Sequence, residues 1–342
     1  MTATTRTLGL DTFGDVPDSA GQPEGIRLLV EQGVHAELAG VDYFGIGEHH
    51  TAEMPLSAPD LVLAAIAART RRIRLGSAVT VLSTDDPVRV FQRYATLDAL
   101  SGGRAEVILG RGSSTESFPL FGFDLADYDE LFAEKADLFA LLREEKPVTW
   151  TGRFRPALDG VEVFPHTTSG ALPTWIGVGG TPLSVVRAAQ HGLSLMLAII
   201  SGPAARFRPF AELYRQTLQH TGRPDLPIGV HSPGHLADTD QIAREEFFPH
   251  YLDAFGRAAR QRGFRPPTRE SYDQEVGPRG ALYVGSPETV ATKIAATLRQ
   301  LGATRFDLKY GMAGLGHESL LHAIDLYGRE VAPRVRALLS TH

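Results

Sequence analysis

Strand-like and helix-like segments alternate along almost the whole of this 342-residue chain, and that rhythm limits the fold more than any single motif does. Leu8 to Phe13, Asp42 to Gly47, Ile73 to Leu82 and Arg104 to Gly110 read as strands, as do Thr174 to Val178, Leu193 to Ala198, Pro227 to Val230 and Phe306 to Tyr310. Helical patterns cover Ile26 to Ala39, Pro59 to Thr70, Pro87 to Leu100 and Asp127 to Leu142. They continue over Pro182 to His191, Arg206 to His220, Pro287 to Leu301 and Ser319 to Leu339. About eight β/α units result, the number that a closed (β/α)8 TIM barrel requires. A doubly wound open sheet competes, because alternation alone does not show closure.

The helix starts sharpen these boundaries. Asp86-Pro87, Thr181-Pro182 and Ser286-Pro287 each put a capping side chain before a proline at the first helical position. Two segments break the alternation. Residues 148–165, with Asp159-Gly160 inside, read as an inserted β-hairpin. Residues 229–283 form a long insertion after the seventh strand, with a helix expected over Gln241 to Arg262. A structureless loop of that length is uncommon in a compact domain, so the insertion is expected to act as a lid. The whole of 1–342 is expected to form one domain.

The chain is 43% hydrophobic and 22% charged, enough apolar material for a large core. Its formal charge of −6, with no basic run interleaved with aromatics, argues against a nucleic-acid partner. The absence of cysteine excludes disulfides, thiolate zinc sites and thiol nucleophiles. Met1 to Thr7 lacks the apolar stretch of a signal peptide, and the longest apolar runs, such as Leu193 to Ile200, are too short to span a bilayer. A cytoplasmic location without membrane contact is expected.

Chemistry concentrates at predicted strand ends. Arg111, between Gly110 and Gly112, either holds a phosphate through paired guanidinium bonds or salt-bridges a neighbour. The stretch Ile176-Gly177-Val178-Gly179-Gly180-Thr181-Pro182-Leu183-Ser184 runs from a strand through a glycine turn into a helix. Such a start is either an anion site or simply a well-capped helix. Glu48-His49-His50 follows the second strand, where imidazoles can move protons or merely sit in a solvated loop. The triplet lacks the spacing of a zinc helix, so no metal is expected. Hydroxyls of Ser113 to Gly122 either line the same cavity or build turns. Asp11, Phe13, Glu116 and Ser117 are candidate substrate-contacting residues.

The order and spacing of Glu48-His49-His50, Arg74-Leu75-Gly76-Ser77-Ala78-Val79-Thr80-Val81-Leu82, Asp86-Pro87-Val88-Arg89 and Gly110-Arg111-Gly112 resemble the bacterial luciferase-like family of flavin-dependent monooxygenases. Tyr283-Val284-Gly285-Ser286-Pro287-Glu288 is similar to that family's helix entry before the eighth strand. The resemblance implies a TIM barrel in which Arg111, Thr181 and Ser184 bind the phosphate of FMN. Val178, Gly179 and Gly180 would contribute at the same strand end. It also implies a non-prolyl cis peptide, Ala78–Val79, beneath the isoalloxazine ring, and acid–base work by His49. Glu48 would orient or pack.

Two departures stand out. Bacterial luciferase has a second arginine where this chain reads Asp127-Tyr128-Asp129-Glu130, and a reactive cysteine where it has Gly110. Tight binding of oxidised FMN and light emission are therefore not expected.

The implied activity is a two-component monooxygenase that takes reduced FMN from a separate flavin reductase and uses O2 to oxidise a small organic substrate. The same fold also admits an F420-dependent hydride-transfer oxidoreductase and a flavin-binding protein without turnover. A homodimer is implied through small-residue helices such as Pro59 to Arg69, with Ala64, Ala65, Ala67 and Ala68.

Overall fold

The computed structural model describes residues 6–340, apart from 17–19, 113 and 264. Eight parallel strands form the barrel: Thr7–Thr12, Tyr43–Ile46, Arg74–Ser77, Ala105–Gly110, Thr174–Val178, Ser194–Ala198, Ile228–Leu236 and Arg305–Lys309, hereafter the first to eighth strands. Each pairs with its sequence neighbour except at the seam, where the eighth lies beside the first with Leu10 opposite Leu308. The ring is closed, since Ile228 to His231 of the seventh strand pair with Leu195 to Ala198 of the sixth. The open-sheet alternative is thereby excluded. Helices wrap the outside, and the main apolar core lies between them and the strands.

The expected third strand, Ile73 to Leu82, is not continuous. It stops at Ser77, the Ala78–Val79 bond is cis, and Thr80–Val81 then pairs with Leu109 and Gly110 of the fourth strand. The seventh strand is longer than Pro227 to Val230, because Pro233 sits opposite Lys309 near the eighth strand's end, where a missing amide is tolerated. Its extension carries an added strand, Tyr283–Gly285. Gly234 is required there, since a Cβ would collide with the Tyr283 carbonyl.

The hairpin is present, with Val148–Trp150 antiparallel to Leu158–Val161. The long insertion folds into helices Asp240–Arg262 and Arg269–Val276, the second of which the sequence pattern did not reveal. Glu275 on the second accepts the Gly202 amide at 3.0 Å in the loop after the sixth strand. Of the small residues on Pro59–Arg69, Ala67 is buried in the core and Ala64 packs against it, so only Ala65 and Ala68 join Leu61 toward the outside. Among the described residues, no helix is long and apolar enough to cross a membrane.

The barrel interior is a separate, partly charged layer. Tyr43, Ile108, Trp175 and Met196 pack there with Val79. Arg305, on the eighth strand, donates from Nε to both oxygens of Asp307 at 3.0 and 2.9 Å and pairs with Glu106. Its guanidinium carbon lies 3.9 Å from the Tyr43 ring centroid and 4.7 Å from that of Trp175. Such a layer needs its charges matched, because an unpaired ion in the interior costs several kcal/mol. Gly76 makes the room: a Cβ there would stand 2.5 Å from the Glu106 carbonyl oxygen.

Candidate active site

The C-terminal ends of the strands open into a cavity of about 330 Å³, where barrels of this kind assemble their active sites. The described candidates from the sequence line it, except that of the hydroxyls between Ser113 and Gly122 only Ser114 and Ser117 do so and Thr115 does not. Asp11 and Phe13 come from the first strand, and His49 follows the second. Ala78 and Val79 follow the third strand, Arg111, Glu116 and Ser117 the fourth, and Val178 to Thr181 with Ser184 the fifth. Ser113 lies outside the described residues.

At one edge, Arg111 Nη2 donates to Ser184 Oγ at 2.5 Å while Nη1 pairs with the Asp129 carboxylate. The guanidinium carbon lies 5.7 Å from the Tyr128 ring centroid and 5.8 Å from that of Phe132. The Tyr128 hydroxyl in turn donates to the Gly112 carbonyl at 2.8 Å. The aromatic contacts hold the planar group in place. Asp129, with 80% of its side chain exposed, is a loose partner.

The helix starts differ in an informative way. Asp86 accepts from Val88 N at 2.8 Å, and Ser286 caps its helix through Thr289 N. Thr181, expected to cap Pro182–Gln190, makes no side-chain cap bond. The one uncapped start of the three is therefore the one at the cavity rim beside Arg111 and Ser184. A Cβ on Gly179 or Gly180 would meet nothing within 4 Å, so the turn is open. The positive end of a helix without a side-chain cap, a guanidinium and an open glycine turn are the chemistry of an anion site, and they fit a phosphate.

Further along the cavity, Glu48 is fully engaged. Its carboxylate accepts the Val81 amide at 2.9 Å, just past the cis peptide, and meets His50 Nε2 at 3.1 Å. Glu48 therefore shapes the turn. His49, 7% exposed, places Nδ1 3.3 Å from Glu116 Oε1. Burial alone would raise the Glu116 carboxyl, but the His49 hydrogen bond and nearby backbone amides outweigh it and hold it below the usual range. The ring of Phe13 lies tilted at 5.0 Å from His49.

The cavity floor pairs Asp11, a candidate from the sequence, with His231, which sequence reasoning missed. His231 Nδ1 lies 2.7 Å from Asp11 Oδ2. Burial would depress the imidazole, yet Asp11 and, more weakly, Asp307 raise it above its ordinary value. Burial pushes the Asp307 carboxyl up to about 6, against the pull of Arg305. A signal existed. Phe306 to Tyr310 alternates apolar and charged residues, which places Asp307 and Lys309 on the inward face, and His231 follows immediately after the expected strand end.

A family model described as luciferase-like monooxygenase matches residues 8–305. The chain belongs to the luciferase-like monooxygenase family. The chain is 26% identical over 314 residues to 4-hydroxyprotoasukamycin monooxygenase of Streptomyces nodosus subsp. asukaensis, covering 88% of this chain and 84% of the relative. Its fold matches monooxygenase RslO1 from Streptomyces bottropensis with a TM-score of 0.83 at 22% identity, over 96% of this chain and 99% of the other.

The oxygenating constituent of 3,6-diketocamphane monooxygenase from Pseudomonas putida, solved in complex with FMN, matches with a TM-score of 0.79 at 17% identity, over 97% and 99%. The coenzyme F420-dependent tetrahydromethanopterin reductase from Methanopyrus kandleri matches with 0.71 at 20%, also over 97% and 99%. The chain thus shares its fold with proteins described for either cofactor.

Proposed function

We propose that this chain is the oxygenating component of a two-component system, using reduced FMN from a separate flavin reductase and O2 to oxidise a small organic substrate. The observation that carries the reading is the anion site at one edge of the cavity, with the cis Ala78–Val79 bond and the partly buried His49–Glu116 pair in the same enclosure. Arg111, Ser184, Thr181 and the Val178-to-Gly180 turn hold the phosphate, and Ala78 and Val79 support the ring. Bound reduced FMN supplies the electrons that activate O2. The chain's own residues orient the ring, keep water out and move a proton at His49 Nδ1, with Glu116 as its partner.

The insertion contributes through Glu275, which ties the loop beside cavity-lining Ile200. Leu61, 69% exposed, and Leu100, 62% exposed, stand on adjacent helices and are the natural seat of a homodimer contact.

The His49–Glu116 pair equally suits hydride transfer to or from F420, which is the second reading. An anaerobic titration with reduced FMN and reduced F420 in parallel, followed by mixing with O2, separates the two. Tight reduced-FMN binding with an oxygen-dependent absorbance transient supports the monooxygenase. Preference for F420 without the transient refutes it, and stoichiometric flavin that never turns over marks a binding protein.

A further inference from the structure

The charges around the cavity floor are matched unevenly. Asp307 is held by two bonds from Arg305, and Asp15 by Lys309 Nζ at 2.8 Å. Asp11, 1% exposed, has only His231, and its Oδ1 has no partner among the described residues. A buried carboxylate without a counter-charge is costly, so Asp11 raises the proton affinity of the neutral His231 imidazole and makes it a stronger base. Nδ1 is committed to Asp11. His231 Nε2 makes no protein hydrogen bond among the described residues, and the imidazole lines the cavity. Phe13 stacks on His231 with centroids 5.9 Å apart and planes at 18°, which fixes the ring.

We propose that His231 is the substrate-binding base of this cavity, taking the proton of a phenolic or enolic hydroxyl on an otherwise apolar, neutral substrate, with Asp11 as its positioning residue. The O–H bond breaks, an N–H bond forms at Nε2, and the substrate oxygen remains hydrogen-bonded to it as an anion. The pair goes from a net charge of −1 to neutral while the substrate goes from neutral to −1, so charge is conserved within the cavity.

The cavity chemistry selects this class. Asp11 and Asp307 repel a substrate that arrives already ionised. Val79, Ile108, Met196 and Ile200 supply apolar walls, and a simple ketone has no acidic hydroxyl to give. An electron-rich anion is also the form on which an electrophilic oxygen is best delivered, so the inference rests on, and deepens, the monooxygenase reading.

The test uses 4-nitrophenol, whose phenol and phenolate forms absorb differently, with the full chain. In the wild type the bound probe should ionise about one pH unit or more below the free probe, the size of shift expected from a nearby opposite charge. Asp307 and Lys309, the other charged groups that act on His231, are unchanged in the variants below.

In His231→Gln that lowering should vanish. In Asp11→Asn, where the imidazole is less basic, the midpoint should move back towards the free value; a role confined to packing would not move it. Reduced-FMN binding by the variants reports that they are folded. Failure of the wild type to bind the probe, an unshifted midpoint, or a His231→Gln variant that matches the wild type would each overturn the proposal. If the wild type fails to bind reduced FMN, the flavin reading falls by itself, and the probe still reports on the pair.

Discussion

Asp129 is the residue whose removal should improve this protein's grip on flavin. It occupies the Arg111 Nη1 edge that a phosphate would otherwise use, and no second arginine stands nearby in sequence to compensate. Because 80% of its side chain is exposed, the interaction is screened and the water limit of Coulomb's law applies. Two unit charges ~5 Å apart then repel by ~0.8 kcal/mol, and a phosphate carrying −1 to −2 gives ~0.8–1.7 kcal/mol.

Asp129→Asn should therefore bind reduced FMN roughly 4- to 17-fold tighter in an anaerobic titration, with the gain shrinking as salt rises. Reduced riboflavin, which has no phosphate, should bind both forms alike. Unchanged or weaker FMN binding by the variant, or an equal gain for riboflavin, would sink both the phosphate assignment of Arg111 and the role of Asp129 as its competitor.

Other perturbations separate chemistry from scaffold. His49→Gln should lower kcat by about 10²-fold or more with reduced-FMN affinity nearly unchanged, read by steady-state kinetics beside a titration. Arg305→Met strands Glu106 and Asp307 in the barrel interior and should cost ~3–5 kcal/mol in a denaturant melt. Asp307 is protonated more readily in the folded chain, at about 6, than in the unfolded one, at about 3.9. The native state therefore binds the extra proton across that window, and the stability Asp307 withholds should grow as pH rises through it and level off above. Comparing wild-type and Asp307→Asn melts from pH 4 to 8 checks the sign. Glu275→Gln should loosen the Gly202 loop and raise hydrogen peroxide release per substrate oxidised.

The barrel was legible because its outer strand faces and helix stripes obey two simple periods, and the proline-led helix starts fixed boundaries such as Pro87 and Pro287 to the residue. Interruption of the third strand at Ala78 has no signature in periodicity, and only the family likeness located it. The charged interior was written in the alternation of Phe306 to Tyr310. Its meaning depends on Arg305 meeting Glu106 from across the barrel, a pairing at a separation of 199 residues that no local pattern carries. His231 was missed because its strand was ended at Pro227 to Val230, whereas the lone amide deficit at Pro233 is harmless where it falls. Thr181 reads as a cap by residue type, yet its side chain makes no cap bond.

That missing cap and the buried carboxylates have a joint consequence. Cationic character collects at one edge of the cavity, in Arg111 and the start of Pro182–Gln190, while unneutralised acid collects at the floor, in Asp11. A molecule with an anionic tail and a neutral ring system has one favourable orientation in such a field, tail at the rim and ring inward. Reversing it would set a phosphate against Asp11 and Asp307 in a low-dielectric interior, where like charges repel far more strongly than at the surface. Orientation therefore precedes any specific contact with the ring. On the proposed reading, the polarity of the cavity, more than the tightness of any single bond, would admit an exchangeable flavin in one pose.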